Sequence, residues 1–182
     1  FSPSSKNFCD VYLCGDTENI TENNLSYILR LGESGSDDVV ELLRIDSGET
    51  TSLCRGTDTF IASSFSTFVK VTYDKSKCWN IYIDKEGSGF YKLEATAFDE
   101  KFATWNQSTR FGFSCTYTNS NIKQFYFDNI YIGEKLIDSI APELINSESI
   151  DDYKMQINFS EAISENSLTK EKLYVMTVEC NG

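Results

Sequence analysis

The sequence predicts an all-β protein whose antiparallel strands pack as a sandwich. Short runs rich in Val, Ile, Tyr, Phe and Thr recur between turn signals, which is the pattern of antiparallel strands. The 13 Phe and 10 Tyr residues among 182 supply enough large apolar side chains for a core. No stripe of helical period is long enough for a sizeable helix. We expect about eight or nine strands, at the spacing typical of a sandwich or jelly roll.

The first four predicted strands are separated by polar turns. They are the runs DVYLC, SYILRLG, VVELLRI and TSLCRG. The polar loop GDTENITENN follows the first run, ESGSDD follows the second, and DSGETT turns the third into the fourth. Gly, Ser, Asn and Asp in these connections favour tight backbone turns.

The later strands are predicted to form hairpins. The runs TFVKVTYD and CWNIYID flank the short connection KSK, and FYKLEATAF follows the turn EGSG. The runs RFGFSCTYT and QFYFDNIYI flank NSNIK as a second hairpin. Helical signal is limited to one turn in FDEKFATW and a short helix or capped turn in SENSLTKEKL.

A domain boundary is predicted just before Pro142, whose ring favours an extended conformation in the residue before it. Beyond it the pattern starts again, because YKMQINF alternates strictly between apolar and other residues. The predicted domains are residues 1–136 and 137–182. The second is much shorter than the roughly one hundred residues of an Ig-type sandwich, so we expect a truncated module.

Charge and composition exclude several classes of function. The chain has 28 acidic and 16 basic residues, a net charge of −12, so it should repel nucleic-acid phosphates and anionic lipid. It contains no His, which excludes Ser-His-Asp and Cys-His catalysis and any His-based zinc site. No apolar run has the length of a membrane span, so no membrane insertion is expected.

The six cysteines follow no metal-ligand spacing. They lie at positions 9, 14, 54, 78, 115 and 180, without a C-x-x-C pair. Cys115 shares one face of its predicted strand with Phe111 and Phe113, which favours a buried thiol acting as a small hydrophobe. Free buried cysteines are therefore favoured, and disulfides typical of an exported protein are the alternative.

Three separated segments resemble a known family. They are LGESGSDDVVELLRIDSGETTSLCRGT, FVKVTYDKSKCWNIYID and FGFSCTYTNSNIKQFYFDNIYIG. In this order they resemble the concanavalin A-like (laminin-G-like) jelly-roll domain of surface or exported proteins of Gram-negative bacteria, often found beside lamin-tail-type modules. The resemblance implies a jelly roll over residues 1–136, in which the strand that normally precedes FSPSSKNF is missing.

The tail DSIAPELINSESIDDYKMQINFSEAIS resembles the opening of a bacterial Ig-like module. Together the two resemblances imply a secreted or cell-surface, non-catalytic module within a larger multidomain chain. Carbohydrate binding or adhesion to a cell-surface ligand is the favoured role, and a purely structural spacer is the alternative.

Enzymatic activity is the less favoured hypothesis, because concanavalin A-like folds also include glycoside hydrolases and lyases. A retaining glycosidase needs two carboxylates about 5 Å apart. The acidic pair Asp37–Asp38 lies in a turn, and Asp151–Asp152 precedes a strand. Adjacent residues of a strand point to opposite faces, so neither pair predicts a catalytic dyad.

A sugar site would combine an aromatic platform with polar side chains. Trp79 alternates with Ile81 and Ile83, which predicts a core position. Trp105, in the polar context ATWNQS, is the better candidate for an exposed ring. We therefore predict a ligand site at Trp105 with Tyr82 and Tyr117.

One carboxylate and one amide interrupt the apolar run FYFDNIYI. Asp128 and Asn129 fall on opposite faces of this predicted strand, and burying both without partners would cost several kcal/mol. Either local backbone N–H groups satisfy them, or a cation does, and calcium prefers such oxygen ligands. A structural role is favoured for Asp128, with calcium as the alternative, because buried polar groups usually find protein partners.

Overall fold

The protein is all-β, with antiparallel sheets. The computed structural model describes residues 1–22, 24–32, 37–61, 65–104, 109–134, 139–151, 153–161 and 163, and these contain no α-helix. The chain divides into two compact units, Phe1–Gly133 and Glu134–Gly182. The jelly-roll and Ig-like identities of the two predicted domains stay predictions.

Ten β-strands lie within the described residues. They are β1 Phe8–Gly15, β2 Leu25–Leu31, β3 Val40–Asp46, β4 Glu49–Arg55, β5 Phe68–Tyr73, β6 Cys78–Asp84, β7 Lys92–Phe98, β8 Arg110–Thr116, β9 Leu144–Asp151 and β10 Lys154–Phe159. The predicted runs from DVYLC to RFGFSCTYT correspond to β1–β8, and YKMQINF corresponds to β10. A short 3-10 turn at Phe102–Thr104 occupies the single turn predicted in FDEKFATW.

The strands of the first unit form two sheets. The five-stranded sheet has the order β4-β3-β2-β1-β8, and the three-stranded sheet has the order β5-β6-β7. The chain therefore runs through four neighbouring strands, crosses to the second sheet for three, and returns with β8. On its return β8 pairs antiparallel with β1, from Phe8 opposite Thr116 to Gly15 opposite Arg110.

The two sheets share one hydrophobic core. Tyr27 of β2 and Trp79 of β6 stack with their ring centroids 5.0 Å apart. Phe102 closes this cluster, with its ring centroid 5.3 Å from Tyr27 and 4.7 Å from Trp79. Only 5 % of Trp79 is exposed, and Ile81 and Ile83 are buried on the same strand face. The prediction that Trp79 lies in the core is confirmed.

The segment 124–132 is not a strand, so the predicted second hairpin is wrong. Its rings pack without a backbone ladder: Phe125 stacks on Phe1 and Phe127 stacks on Phe113, both at 4.1 Å between centroids. Asn129 has a φ of 53°, in the left-handed region that a strand does not use. Ring stacking and the left-handed conformation at Asn129 stand in place of the expected pairing.

The second unit contains the hairpin β9–β10. Met155 pairs with Ser149 and Ile157 with Ser147. β9 was not predicted, because its sequence LINSESID carries no apolar alternation and depends on β10 for its pairing. The predicted helix in SENSLTKEKL lies outside the described residues.

The carboxylate of Asp84 organises the turn between β6 and β7. It accepts N–H bonds from Glu86 and Gly87 at 3.0 Å and from Gly89 at 2.8 Å. The Ser88 hydroxyl adds a fourth donor at 3.3 Å. Gly87 and Gly89 have φ values of 68° and 82°, which favour glycine, so EGSG folds around the carboxylate as a turn.

We expect protonation of Asp84 to destabilise this turn at low pH. Burial pushes the pKa of Asp84 upward, but the backbone donors outweigh it and hold the pKa below the ordinary 3.8. Because the folded-state pKa is the lower one, the stabilisation is complete above 3.8 and is lost as the pH falls through the folded value. Melting temperatures of the wild type and Asp84→Asn across the acidic range test this. On acidification, the melting temperature of the variant should fall less than that of the wild type. Parallel curves of melting temperature against pH would contradict the role assigned to Asp84.

Candidate functional site

The solvent-facing side of the three-stranded sheet carries aromatic, apolar and hydrogen-bonding side chains together. We call this surface the outer face. It comprises residues on the side of the three strands opposite the core, Phe68, Lys70, Thr72, Asn80, Tyr82, Leu93, Thr96 and Phe98, together with Tyr91 just before β7. A β-bulge in β7 separates Leu93 from Thr96 by three positions. Leu93 is 55 % exposed and Phe98 is 63 % exposed, so apolar surface on this face is open to solvent.

One cross-strand row of the outer face is built around a lysine. Lys70 pairs with Tyr82, which in turn pairs with Leu93. The Lys70 Nζ lies 4.8 Å from the Tyr82 ring centroid and 4.7 Å from that of Tyr91. A ring face attracts the charge without acting as an oxygen acceptor. The ammonium can therefore still donate N–H bonds to hydroxyl groups of a ligand.

The next row is polar and held in place by hydrogen bonds. Asn80 accepts a bond from the Thr96 hydroxyl at 3.0 Å and donates one to Asp74 Oδ2 at 3.1 Å. Hydrogen bonds hold the pKa of Asp74 below its ordinary value. The bond from the Ser76 hydroxyl contributes most, and the bond from the Cys78 N–H contributes next. The turn between β5 and β6 therefore fixes the orientation of the Asn80 amide.

The predicted ligand residues are placed separately. Tyr82 lies on the outer face, whereas Tyr117 follows β8 of the other sheet. The ring of Tyr117 is 48 % exposed and lies 6.0 Å from that of Phe125. Trp105 lies outside the described residues. The structure thus brings Tyr82 together with Lys70 and Tyr91, and not with Tyr117.

Lys70, Tyr91, Leu93 and Phe98 were missed as site residues. Alternation with Val69 and Val71 could have placed Lys70 on a solvent face. Its position opposite Tyr82 follows from the register of β5 and β6, which the sequence does not specify.

Asp128 is exposed and does not lie in a strand, although the sequence predicted a strand over FYFDNIYI. Its Oδ1 accepts the N–H of Asn129 at 2.8 Å, so a local backbone donor satisfies it. Within the described ranges, no group of three or more Asp, Glu or Cys residues could hold a metal ion. The geometry therefore gives Asp128 a role in the local backbone turn.

A cleft of about 560 Å³ opens between the sheets beside the segment 124–132. Its lining residues include Val11, Leu29, Val71, Phe113 and Cys9. Sugar hydroxyls need hydrogen-bond partners, and this wall is mainly apolar. The cleft is therefore a poorer sugar site than the outer face.

Buried carboxylates of the first unit are engaged by structural donors. Asp10 makes a two-pronged ion pair with Arg30 at 2.6 and 2.8 Å. Glu41 accepts the Ser52 hydroxyl at 2.6 Å. These charge-assisted interactions stabilise the folded chain.

No family model, no curated protein and no solved structure matches the chain. The resemblance to concanavalin A-like domains therefore stays a prediction. Across the part of the chain that the structure describes, no helix combines the length and apolarity needed to cross a membrane.

Proposed function

We propose that the chain is a non-catalytic module of an exported or cell-surface protein, and that its outer face binds neutral polysaccharide. The observation that carries this proposal is the cluster of Lys70 with the rings of Tyr82 and Tyr91, at 4.8 and 4.7 Å, on a solvent-facing sheet. The fixed amide of Asn80 lies in the adjacent row.

The chemistry of this cluster suits a sugar ring. A pyranose presents C–H groups on its faces, which pack on aromatic rings, and hydroxyls at its edge, which need donors and acceptors. The exposed side chain of Leu93, directly opposite Tyr82, extends the apolar surface beside that ring. A sheet face is also a rigid platform, so little conformational entropy is lost on binding.

Net charge favours a neutral ligand. At −12 the chain repels polyanions at long range, so acidic polysaccharides and nucleic acids are poorer partners than neutral glycans. Binding to a neutral glycan should also depend little on salt, because no ion pair forms.

The proposed architecture is a concanavalin A-like jelly roll followed by an Ig-like module, within a longer multidomain chain. Two antiparallel sheets around a shared core and a separate β9–β10 hairpin support it. In this setting the module would mediate adhesion or substrate targeting. A structural spacer is the alternative, and it requires no glycan binding.

Substitutions on the outer face should weaken binding. We expect Tyr82→Ala and Lys70→Met each to lower affinity for the bound polysaccharide by about tenfold, since one ring or donor contact is worth about 1.4 kcal/mol. Affinity electrophoresis against a panel of neutral and acidic polysaccharides gives the retardation of each variant. Melting temperatures confirm that the variants are folded.

Tyr117→Ala is the matched control, because this exposed tyrosine lies beside the other sheet. Its affinity should equal that of the wild type. Trp105→Ala tests the sequence-based candidate separately. If Tyr82→Ala and Lys70→Met are retarded as strongly as the wild type, the outer face is not the binding site. If the wild type binds no glycan, the spacer role is favoured.

A further inference from the structure

Two cysteines face each other across β1 and β8. Cys9 and Cys115 are direct partners in the antiparallel register, and their Sγ atoms lie 3.8 Å apart. Directly opposed residues of antiparallel strands have Cα atoms about 4.5–5.5 Å apart, which is within the span of a disulfide. A disulfide requires the two sulfurs, which lie 3.8 Å apart, to approach to about 2.05 Å.

We propose that Cys9 and Cys115 form a cross-strand disulfide, with a small-molecule disulfide or a protein dithiol–disulfide as the oxidant. The thiolate of Cys115 attacks one sulfur of the oxidant and releases its first thiol, leaving a mixed disulfide. The thiolate of Cys9 then attacks the Cys115 Sγ and releases the second thiol. The pair loses two protons and two electrons, and the oxidant is reduced to two thiols.

The order of attack follows from accessibility. Cys115 is half-buried, whereas Cys9 is fully buried. Burial is the main cause that raises the pKa of Cys9, and the negative charge of the Cys115 thiolate is the second cause. Burial also raises the pKa of Cys115. Both thiols are therefore mostly protonated at neutral pH, and the bond forms slowly once the chain has folded.

The other described cysteines have different surroundings. The sulfurs of Cys14 and Cys54 accept hydrogen bonds from the backbone N–H groups of Tyr27 and Leu42. The Cys78 thiol donates to the backbone carbonyl of Ser76 at 3.7 Å. Cys9 and Cys115 instead contact one another, although 106 positions separate them in the sequence. A bond here closes a long loop, which is where a disulfide restricts the unfolded chain most.

Peptide mapping without reductant tests the proposal directly. Wild-type protein is incubated with glutathione disulfide, alkylated, digested and analysed by mass spectrometry. We expect a linked peptide pair containing Cys9 and Cys115. Oxidised protein should melt about 5–15 °C above the reduced form, and dithiothreitol should remove the difference.

Variants separate this pair from the other thiols. Cys9→Ser and Cys115→Ser should each abolish the shift caused by dithiothreitol, whereas Cys14→Ser and Cys54→Ser should retain it. If Cys9→Ser fails to fold, the peptide map of the wild type still shows whether Cys9 and Cys115 are linked. Alkylation of both Cys9 and Cys115 after oxidation, or their linkage to other cysteines, would overturn the proposal.

Discussion

Replacing Trp79 by Ala should lower the free energy of unfolding by about 3–5 kcal/mol, the range for a large aromatic residue removed from a core. Trp79 stacks on Tyr27 at 5.0 Å and contacts Tyr73 at 5.1 Å and Phe102 at 4.7 Å. The ring therefore contacts β2 of one sheet and β5 of its own. Its loss leaves a cavity at the centre of the shared core, which the sheets can fill only partly. Urea denaturation followed by circular dichroism measures the effect.

Phe98→Ala is the control for Trp79→Ala. Phe98 also belongs to the three-stranded sheet, but it is 63 % exposed on the outer face. Its loss should change stability by only about 0.5 kcal/mol, as is usual at the surface. A Trp79→Ala effect as small as this would mean that the sheets do not pack through Trp79.

Asp99→Ala should destabilise the protein by about 2–4 kcal/mol. Arg44 of β3 donates from Nη1 to Asp99 Oδ2 at 2.6 Å, so this ion pair joins the five-stranded sheet to the residue after β7. The Asp99 side chain is only 3 % exposed and that of Arg44 is 23 % exposed. Removing the carboxylate leaves a largely buried guanidinium without its partner, which costs more than the loss of a surface ion pair.

A double-mutant cycle isolates this interaction. We expect Arg44→Met with Asp99→Ala to be less destabilising than the sum of the single changes, with a coupling of about 1–3 kcal/mol. The exposed pair of Lys77 and Glu100, at 2.9 Å, provides the comparison. Glu100→Ala should cost at most about 1 kcal/mol. Additive effects of the Arg44 and Asp99 changes would show that the pair does not connect the sheets energetically.

The strands β1–β8 could be predicted because their signal is local. Each is a short run that includes β-branched or aromatic residues and lies between turns, as in CWNIYID, where Trp79, Ile81 and Ile83 alternate with residues of the outer face. Alternation also predicted correctly which side of β6 faces the core. None of this required knowledge of which strands are neighbours.

Features that depend on pairing could not be predicted in the same way. The segment 124–132 has the composition of a strand, but a strand also needs a partner edge, and Asn129 has a left-handed backbone conformation that a strand does not use. β9 has no apolar alternation and exists because β10 pairs with it. The cluster of Lys70 with Tyr82 and Tyr91 arises from strand register and from the turn before β7. Register depends on contacts between distant residues, which one sequence does not display.

The pairing of β1 with β8 has a consequence for the order in which the molecule is made. β1 is synthesised before its partner β8, and the paired residues Cys9 and Cys115 are 106 positions apart in the sequence. Contacts of such long range slow folding, because the entropy of closing a large loop is lost before the contacts form. We therefore expect the nascent chain to keep one edge of β1 open until β8 has left the ribosome, and to depend during that interval on chaperones that shield unpaired strands.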